Sequence, residues 1–321
     1  MTLKKNWLNY IIAFFIIITI NFLVPRMLPG NPMDAIYGDE VLVKLSEDAR
    51  VYLENYHDMD KPIFIQYLSY VTSMFQGNLG YSFYHKKPIM ELLISYIPYT
   101  ILLMGLAMFI STALAIILGI ESGWRRGKKS DKIILFFVIF LSGFPAFFIG
   151  SIFLIVFGVI LNAFPFQGAR TLYAGFESFD MLIDFLRHLT LPLLSLIIIF
   201  LPHSYLLTRN SMVSNLKEPY ILLAKAKGLK NIRIKYLHAG RNSIIPIATQ
   251  TSIRFGTMIL TGTLFIEIIF SYPGMGTLIY SSIANRDYPV LQGSFLFTAF
   301  LVLFINFLMD IFYVKLDPRI Q

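Results

Sequence analysis

The chain has 321 residues, 56% hydrophobic and 14% charged, with a formal net charge of +8. A soluble domain carries about 25% charged residues, so the composition excludes an ordinary water-soluble fold and points to lipid as the solvent. The absence of cysteine excludes disulfides, thiolate nucleophiles and cysteine-based metal sites.

A spanning helix takes about 20 apolar residues to cross roughly 30 Å of hydrocarbon. Six stretches qualify, at 8–28, 98–120, 133–161, 189–208, 246–270 and 291–314, which predicts an all-α integral membrane protein of six transmembrane helices. The first contains Pro25 and Arg26 and no small-residue cleavage site follows it, so it reads as a retained span and not a signal peptide. Pro98, Pro145, Pro192 and Pro202 lie within or beside spans and are expected to kink them.

Lys and Arg are several-fold denser in 1–7, 121–132, 209–245 and 315–321 than in 29–97, 161–188 and 271–290. The positive-inside rule then puts both termini and the tail 315–321 in the cytoplasm and the long segment 29–97 outside. The basic charges flank apolar runs, so they match an anionic inner leaflet and not a nucleic acid.

Within 29–97, Ser46-Glu47-Asp48 signals a helix start, and Pro62 suits the first turn of a second helix. Ile63, Phe64, Tyr67, Leu68, Val71 and Phe75 follow at helical spacing and make one apolar face, and Gly77, Gly80 and Pro88 break the chain before the next span. The segment is read as a small external subdomain.

The loop 121–132 superficially matches a phosphate-binding loop. That motif needs two glycines separated by four residues, then Lys, then Ser or Thr. Here Gly123 and Gly127 are separated by three, and Lys129 stands where the hydroxyl belongs. The loop is read as a basic membrane anchor, so ATP work falls to a partner.

The loop 209–245 is longer than a turn between spans requires. Glu218-Pro219 sets a helix start, Tyr220, Ile221, Leu223, Ala224 and Ala226 follow, and Gly228 is a stop. A second helical piece runs from about Asn231 to Asn242. Two readings stay open: a basic helix on the membrane surface, or a docking helix that enters a groove on a cytoplasmic partner.

At this loop the sequence resembles the peptide/nickel permease family of ABC importers, of the oligopeptide and dipeptide permease B type. The family signature runs Glu-x-Tyr, Ala-x-Ala-Lys-Gly, His-x-x-Arg-Asn and Pro. It stands here as Glu218, Tyr220, Ala224, Ala226, Lys227, Gly228, His238, Arg241, Asn242 and Pro246. Arg26-Met27-Leu28-Pro29-Gly30-Asn31-Pro32, Asp60-Lys61-Pro62-Ile63, Gln66-Tyr67, Gly77-Asn78-Leu79-Gly80, Pro145 with Phe147 and Gly150, Arg286-Asp287-Tyr288-Pro289, Asp310, and Leu316-Asp317-Pro318-Arg319-Ile320 are similar to the family in order along the chain. Leu222 and Leu223 depart from it, standing where Arg and Thr are usual, and Pro219 stands where an acid is common.

The resemblance implies a type I ABC importer permease with a small external domain between helices 1 and 2, a core over 98–314 and no cofactor of its own. Implied partners are a second homologous permease, two cytoplasmic ATPases that carry ATP and Mg, and an external solute-binding protein. It also implies that the 214–232 region is a coupling helix, with Glu218, Tyr220, Ala224, Ala226, Lys227 and Gly228 meeting an ATPase. Glu267, Phe270 and Tyr272-Pro273-Gly274-Met275-Gly276 resemble the family's outer gate region.

Gln250, Arg254, Thr257 and Thr261 lie at i, i+4, i+7 and i+11 and form a polar stripe on the fifth span. The stripe either lines the translocation pathway or serves as interhelical glue. A charge near mid-bilayer faces protein or water, so Arg254 either lines the cavity or pairs with Asp310 or Glu121. Glu267 before Tyr272, Pro273, Gly274 and Gly276 is an outer gate, a contact for a binding protein, or simply a Pro/Gly turn. The five histidines give no metal-ligand pair. An ion-coupled transporter would need mid-span carboxylates and a membrane-embedded enzyme would need converging catalytic groups. Neither pattern is legible here.

Overall fold

The computed structural model describes residues 2–27, 61–171, 178–244, 246–247, 250 and 263–316. The helix-start signal at Ser46-Glu47-Asp48 and most of the fifth predicted span lie outside the described residues.

In chain order the elements are α1 (Thr2–Met27), α2 (Ile63–Phe75), a short antiparallel hairpin of β1 (Tyr81–Ser82) and β2 (Lys87–Pro88), α3 (Ile89–Trp124), α4 (Lys129–Ser142) and α5 (Ala146–Phe153). α5 widens into a π-helical stretch, Leu154–Ile160. Then come α6 (Ser178–Asn215), α7 (Pro219–Ala226), α8 (Asn231–Arg233) leading into a second π-helical stretch, Ile234–Gly240, and finally α9 (Leu264–Ile269), α10 (Met275–Ala284) and α11 (Tyr288–Leu316).

Among the described residues, four helices are long and apolar enough to cross a membrane, at Leu8–Met27, Ile89–Trp124, Phe179–Asn215 and Tyr288–Leu308. α4 with the α5 helix makes a fifth if that bent pair is one span. Three spans differ from expectation: α6 runs from Ser178 to Asn215, well beyond the predicted 189–208 at both ends. α3 begins at Ile89, so Pro98 lies inside the helix and not at its start. The stretch 133–161 is not one straight span: it bends by 100° between Ser142 and Ala146. Pro145 causes the break, because it has no N–H to donate backwards and pushes Phe144 out of helical geometry. Pro192 and Pro202, by contrast, lie within the continuous α6.

The chain divides into two units, Met1–Pro98 with Gly274–Gln321, and Tyr99–Pro273. In the first, α1 runs beside α11. Asn21 and Gln292 exchange side-chain-to-carbonyl hydrogen bonds of 3.1 and 2.9 Å, and Phe14 packs on Phe300. Ile89, Leu92, Leu93 and Ile97 form a core with Met275, Leu278 and Val290. Ser82 Oγ donates to Asp287 Oδ2 at 2.5 Å and ties the hairpin to the start of α11.

The second unit is built on close helix contacts at small residues. A Cβ on Gly119 would sit 2.5 Å from the Thr208 Cβ, and one on Gly123 would sit 2.8 Å from that of Met212. α3 and α6 therefore approach nearly backbone to backbone, the packing that small residues allow in lipid. Ala115, Val138 and Tyr205 join α3, α4 and α6 in one cluster. Asp184 on α6 accepts from both the N–H and the hydroxyl of Thr171 at 2.7 Å, which ties Thr171 to that helix.

Gly119→Ala should therefore lower the thermal midpoint of the purified protein in detergent, since overpacking a tight contact costs about 1–3 kcal/mol. Gly105→Ala, in the same helix with nothing within 4 Å of its added Cβ, should leave the midpoint unchanged or raise it. Equal effects of the two would show that α3 and α6 are not packed at Gly119.

Candidate functional site

Residues 209–215 of the predicted loop continue α6, and 216–244 fold as two helical pieces on a cradle formed by the ends of α3 and α6. α7 starts at Pro219, which needs no N–H partner in a first turn, with Glu218 extended ahead of it. It ends as predicted at Gly228, where φ is +74°, a region closed to most side chains. Gly228 N donates to Lys225 O at 2.9 Å and Leu229 N to Ala224 O at 3.3 Å, which closes the last turn.

One face of α7 is spent on the protein itself. Ile221 and Ala224 are buried in a cluster with Ile120, Met212, Ile234 and Ala239, and Tyr220, Leu216 and Leu229 pack against its margin. The opposite face is open: Leu222 is 64% and Leu223 57% exposed, with Lys225, Ala226, Lys227 and Gly228 exposed beside them. Of the six residues assigned to docking, Ala224 thus points inward. Tyr220 is half-buried and accepts from Asn242 Nδ2 at 3.0 Å, so it braces the second helical piece. The outward apolar pair is Leu222 and Leu223, positions noted as departures from the family and not assigned to docking.

The second piece carries the π-helical stretch. Gly240 is required there, because a Cβ would lie 2.8 Å from the Lys235 carbonyl oxygen. The stretch aims Lys235 and Tyr236 at Glu121 near the end of α3. Lys235 Nζ bonds Glu121 Oε1, Tyr236 Oη donates to it at 2.6 Å, and Arg125 stands 3.5 Å from Oε2. Glu121 is thus held by three partners, while Arg254, for which it was a candidate, lies outside the described residues. Asn215 Nδ2 donates to Ser243 Oγ at 3.0 Å and Ser243 to Ala239 O at 2.7 Å, joining α6 to the same piece.

Beneath this lies a buried ionic knot. Asp131, 2% exposed, accepts Arg209 Nε at 2.7 Å and Nη2 at 2.8 Å. It also accepts Ser122 Oγ at 2.5 Å and Gly127 N at 2.8 Å. Ser122 Oγ is 2.6 Å from Tyr205 Oη. Sequence reasoning treated 121–132 as a basic anchor and missed this. The available signal was its two acids, Glu121 and Asp131, in an otherwise cationic loop.

At the other predicted site, Glu267 on α9 is fully buried and accepts Thr100 Oγ1 at 2.7 Å. Tyr272 N donates to the Glu267 carbonyl oxygen at 2.8 Å, and the buried Tyr272 ring meets Tyr99 edge-on at 5.8 Å. Burial, with Glu267 close by, pushes the Tyr272 phenol well above its usual pKa, so it stays protonated. Pro273 ends the second unit, and Gly274 and Gly276, both buried, open the first unit's α10 segment. Of the predicted pathway stripe, Gln250 is helical and exposed, and Arg254, Thr257 and Thr261 lie outside the described residues.

Membrane-length helices with a helical loop packed against the ends of two of them fit the membrane subunit of a transporter. The chain belongs to the family described as binding-protein-dependent transport system inner membrane component, which matches residues 111–321. It is 33% identical to the di/tripeptide transport system permease protein DppB of Pseudomonas aeruginosa, over 96% of this chain and 95% of that one. It is also 33% identical to the oligopeptide transport system permease protein AppB of Bacillus subtilis, over 94% and 93%. To the dipeptide transport system permease protein DppB of Escherichia coli it is 31% identical, over 98% and 97%. The chain is therefore a multi-pass membrane permease of an ABC importer and not an enzyme, and its family works with ATPase and solute-binding partners.

Asp131→Ala should strand Arg209 without its counter-charge, a change that costs about 3–5 kcal/mol in a buried pair. A markedly lower melting midpoint in detergent is expected. The double variant Asp131→Leu/Arg209→Met should recover part of it, and no recovery would mean that the knot does not act as a pair.

Proposed function

We propose that this chain forms half of a translocation pathway for peptides, together with a second homologous permease, and that two ATPases drive the pair. ATP and Mg are bound on the ATPases, an external binding protein delivers the solute, and α7 is the handle the ATPases move. Both termini and the loop 209–245 face the cytoplasm, with 29–97 on the far side. The observation that carries this reading is the division of labour on α7: Ile221 and Ala224 are fixed in the chain's own core while Leu222 and Leu223 are exposed. A free surface helix would not need the inward cluster, and a purely structural one would not leave the outer leucines bare. Closure of the ATPases pulls α7, and its cradle transmits the pull to α3 and α6 as a rigid-body change. The peptide solute is supported by what the relatives are named for.

Leu222→Asp/Leu223→Asp should leave the yield of folded permease unchanged, because both positions are exposed, and should reduce ATPase recovered with it from membranes more than ten-fold. Full recovery of an active ATPase would overturn the handle reading.

The stripe Gln250, Arg254, Thr257 and Thr261 lines the pathway, and Arg254 attracts the solute carboxylate. Glu267, Tyr272, Pro273, Gly274 and Gly276 form its outer gate, with Glu267 held closed inside by Thr100. Arg254→Gln should keep the complex assembled but abolish the preference for free over amidated peptides in vesicle uptake. An unchanged preference would remove Arg254 from the pathway.

A further inference from the structure

α2 has no part in the coupling reading. Its 13 residues include no Asp, Glu, Lys or Arg, and none occurs between Lys61 and Lys86. The helix lies antiparallel along α1, as four successive contacts show. Arg26 Nε donates to Gln66 Oε1 at 3.1 Å. The Phe22 ring packs on Tyr67 and Tyr70. Thr19 Oγ1 and Tyr67 Oη are 2.9 Å apart. Phe14 meets Phe75 at a centroid distance of 6.4 Å.

These contacts move from Arg26 to Phe14 on α1 as they move from Gln66 to Phe75 on α2. Leu8–Met27 is long and apolar enough to span a membrane. At 1.5 Å per residue, Phe14 lies about 20 Å along it from Met27, past the middle of a hydrocarbon core of about 30 Å. The end of α2 is therefore at bilayer depth, well below the end from which α1 emerges.

The surface of α2 suits that position. Phe64, Leu68, Val71 and Phe75 recur at i, i+4, i+7 and i+11; the first three lie on a face turned away from Gln66, Tyr67 and Tyr70, and Phe75 continues it while its ring edge meets Phe14. Phe64 is 68%, Leu68 48% and Phe75 64% exposed, and Ile12, Ile16 and Ile20 on α1 are similarly bare. The chain's return is also built for lipid, where backbone groups must find partners within the protein. After α2, Gln76 N donates to Thr72 O, Gly77 N to Met74 O and Asn78 N to Ser73 O, while Gly80 N donates to Asn78 Oδ1 at 3.2 Å. Gly77 and Gly80 take the positive φ values, +79° and +96°, that this tight reversal needs.

We propose that α2 is a re-entrant helix: it enters the bilayer from the side where Met27 leaves it, lies against α1, and presents Phe64, Leu68, Val71 and Phe75 to lipid acyl chains. This part of the segment 29–97 is membrane-embedded and not part of an aqueous subdomain. The inference rests on α1 as a span and is independent of the role of α7.

The chain has no cysteine, so single variants Phe64→Cys, Leu68→Cys, Val71→Cys and Phe75→Cys each report alone. Each is nitroxide-labelled in the full permease–ATPase complex, reconstituted in phosphatidylcholine–phosphatidylglycerol vesicles. Ile16→Cys on α1 is the lipid reference and Tyr84→Cys, in the exposed hairpin turn, the aqueous one. The collision ratio of oxygen to a water-soluble nickel chelate should rise about ten-fold from position 64 to position 75 and reach the value at position 16. High nickel accessibility at all four positions would overturn the proposal in favour of an aqueous domain. Shielding from both probes would overturn it in favour of a protein partner on this face.

Discussion

The buried carboxylate of Asp131 is the interaction on which the base of the bundle depends. A carboxylate withdrawn from water costs several kcal/mol unless its lone pairs are filled. Here two guanidinium N–H groups of Arg209, the Ser122 hydroxyl and the Gly127 amide fill them. These donors come from α6, from α3 and from the turn between α3 and α4. One side chain thus fixes the relative position of three helices at the end where the loop 209–245 begins. Arg is suited to this role because its planar fork binds both carboxylate oxygens at once, which Lys cannot do.

On that fixed base the loop is packed and not merely tethered. Ile221, Ala224, Ile234 and Ala239 bury against Ile120 and Met212, and Glu121 draws in Lys235 and Tyr236 from the π-helical stretch. The π geometry brings the Lys235 carbonyl so close to Gly240 that no side chain fits. A force applied to α7 then has few soft joints in which to dissipate before reaching α3 and α6. Well-packed cores respond to such a force by switching between discrete arrangements and not by continuous deformation.

Much of this could be read from residues in order. Hydropathy located α1, α3, α6 and α11, and the Glu218–Gly228 spacing located both ends of α7. Pro62 marked the start of α2. What escaped reading was orientation. The same apolar periodicity that predicted α2 cannot say which neighbour its face meets, and Gln66, Tyr67, Tyr70 and Phe75, not Phe64 and Leu68, proved to make its contacts with α1. Ala224 and Leu222 likewise sit two residues apart on one helix but face opposite ways. The two acids of 121–132 hinted at a pairing, but the partner of Asp131 could not be read, because Arg209 is far along the chain and the packing of α3 against α6 brings them together.

The bend at Pro145 shows how the backbone rules of lipid shape the far end of the second unit. Breaking a helix in hydrocarbon exposes amides that have no water to bond. The break is made where the fewest are left: Pro145 has no N–H, Gly143 N and Phe144 N turn back to Phe140 O and Leu141 O, and Phe148 N and Ile149 N bond Pro145 O. With the chain turned by 100°, Gly150 comes within reach of Ile266, so close that an added Cβ would lie 2.7 Å from it. That contact seats α9 on α5, and Gly168 N caps the Phe270 carbonyl from the loop beyond. Glu267 sits between those two supports, buried and bonded to Thr100. A substitution that straightened the bend would therefore act on the Glu267–Thr100 contact, although Pro145 itself is remote from it in sequence.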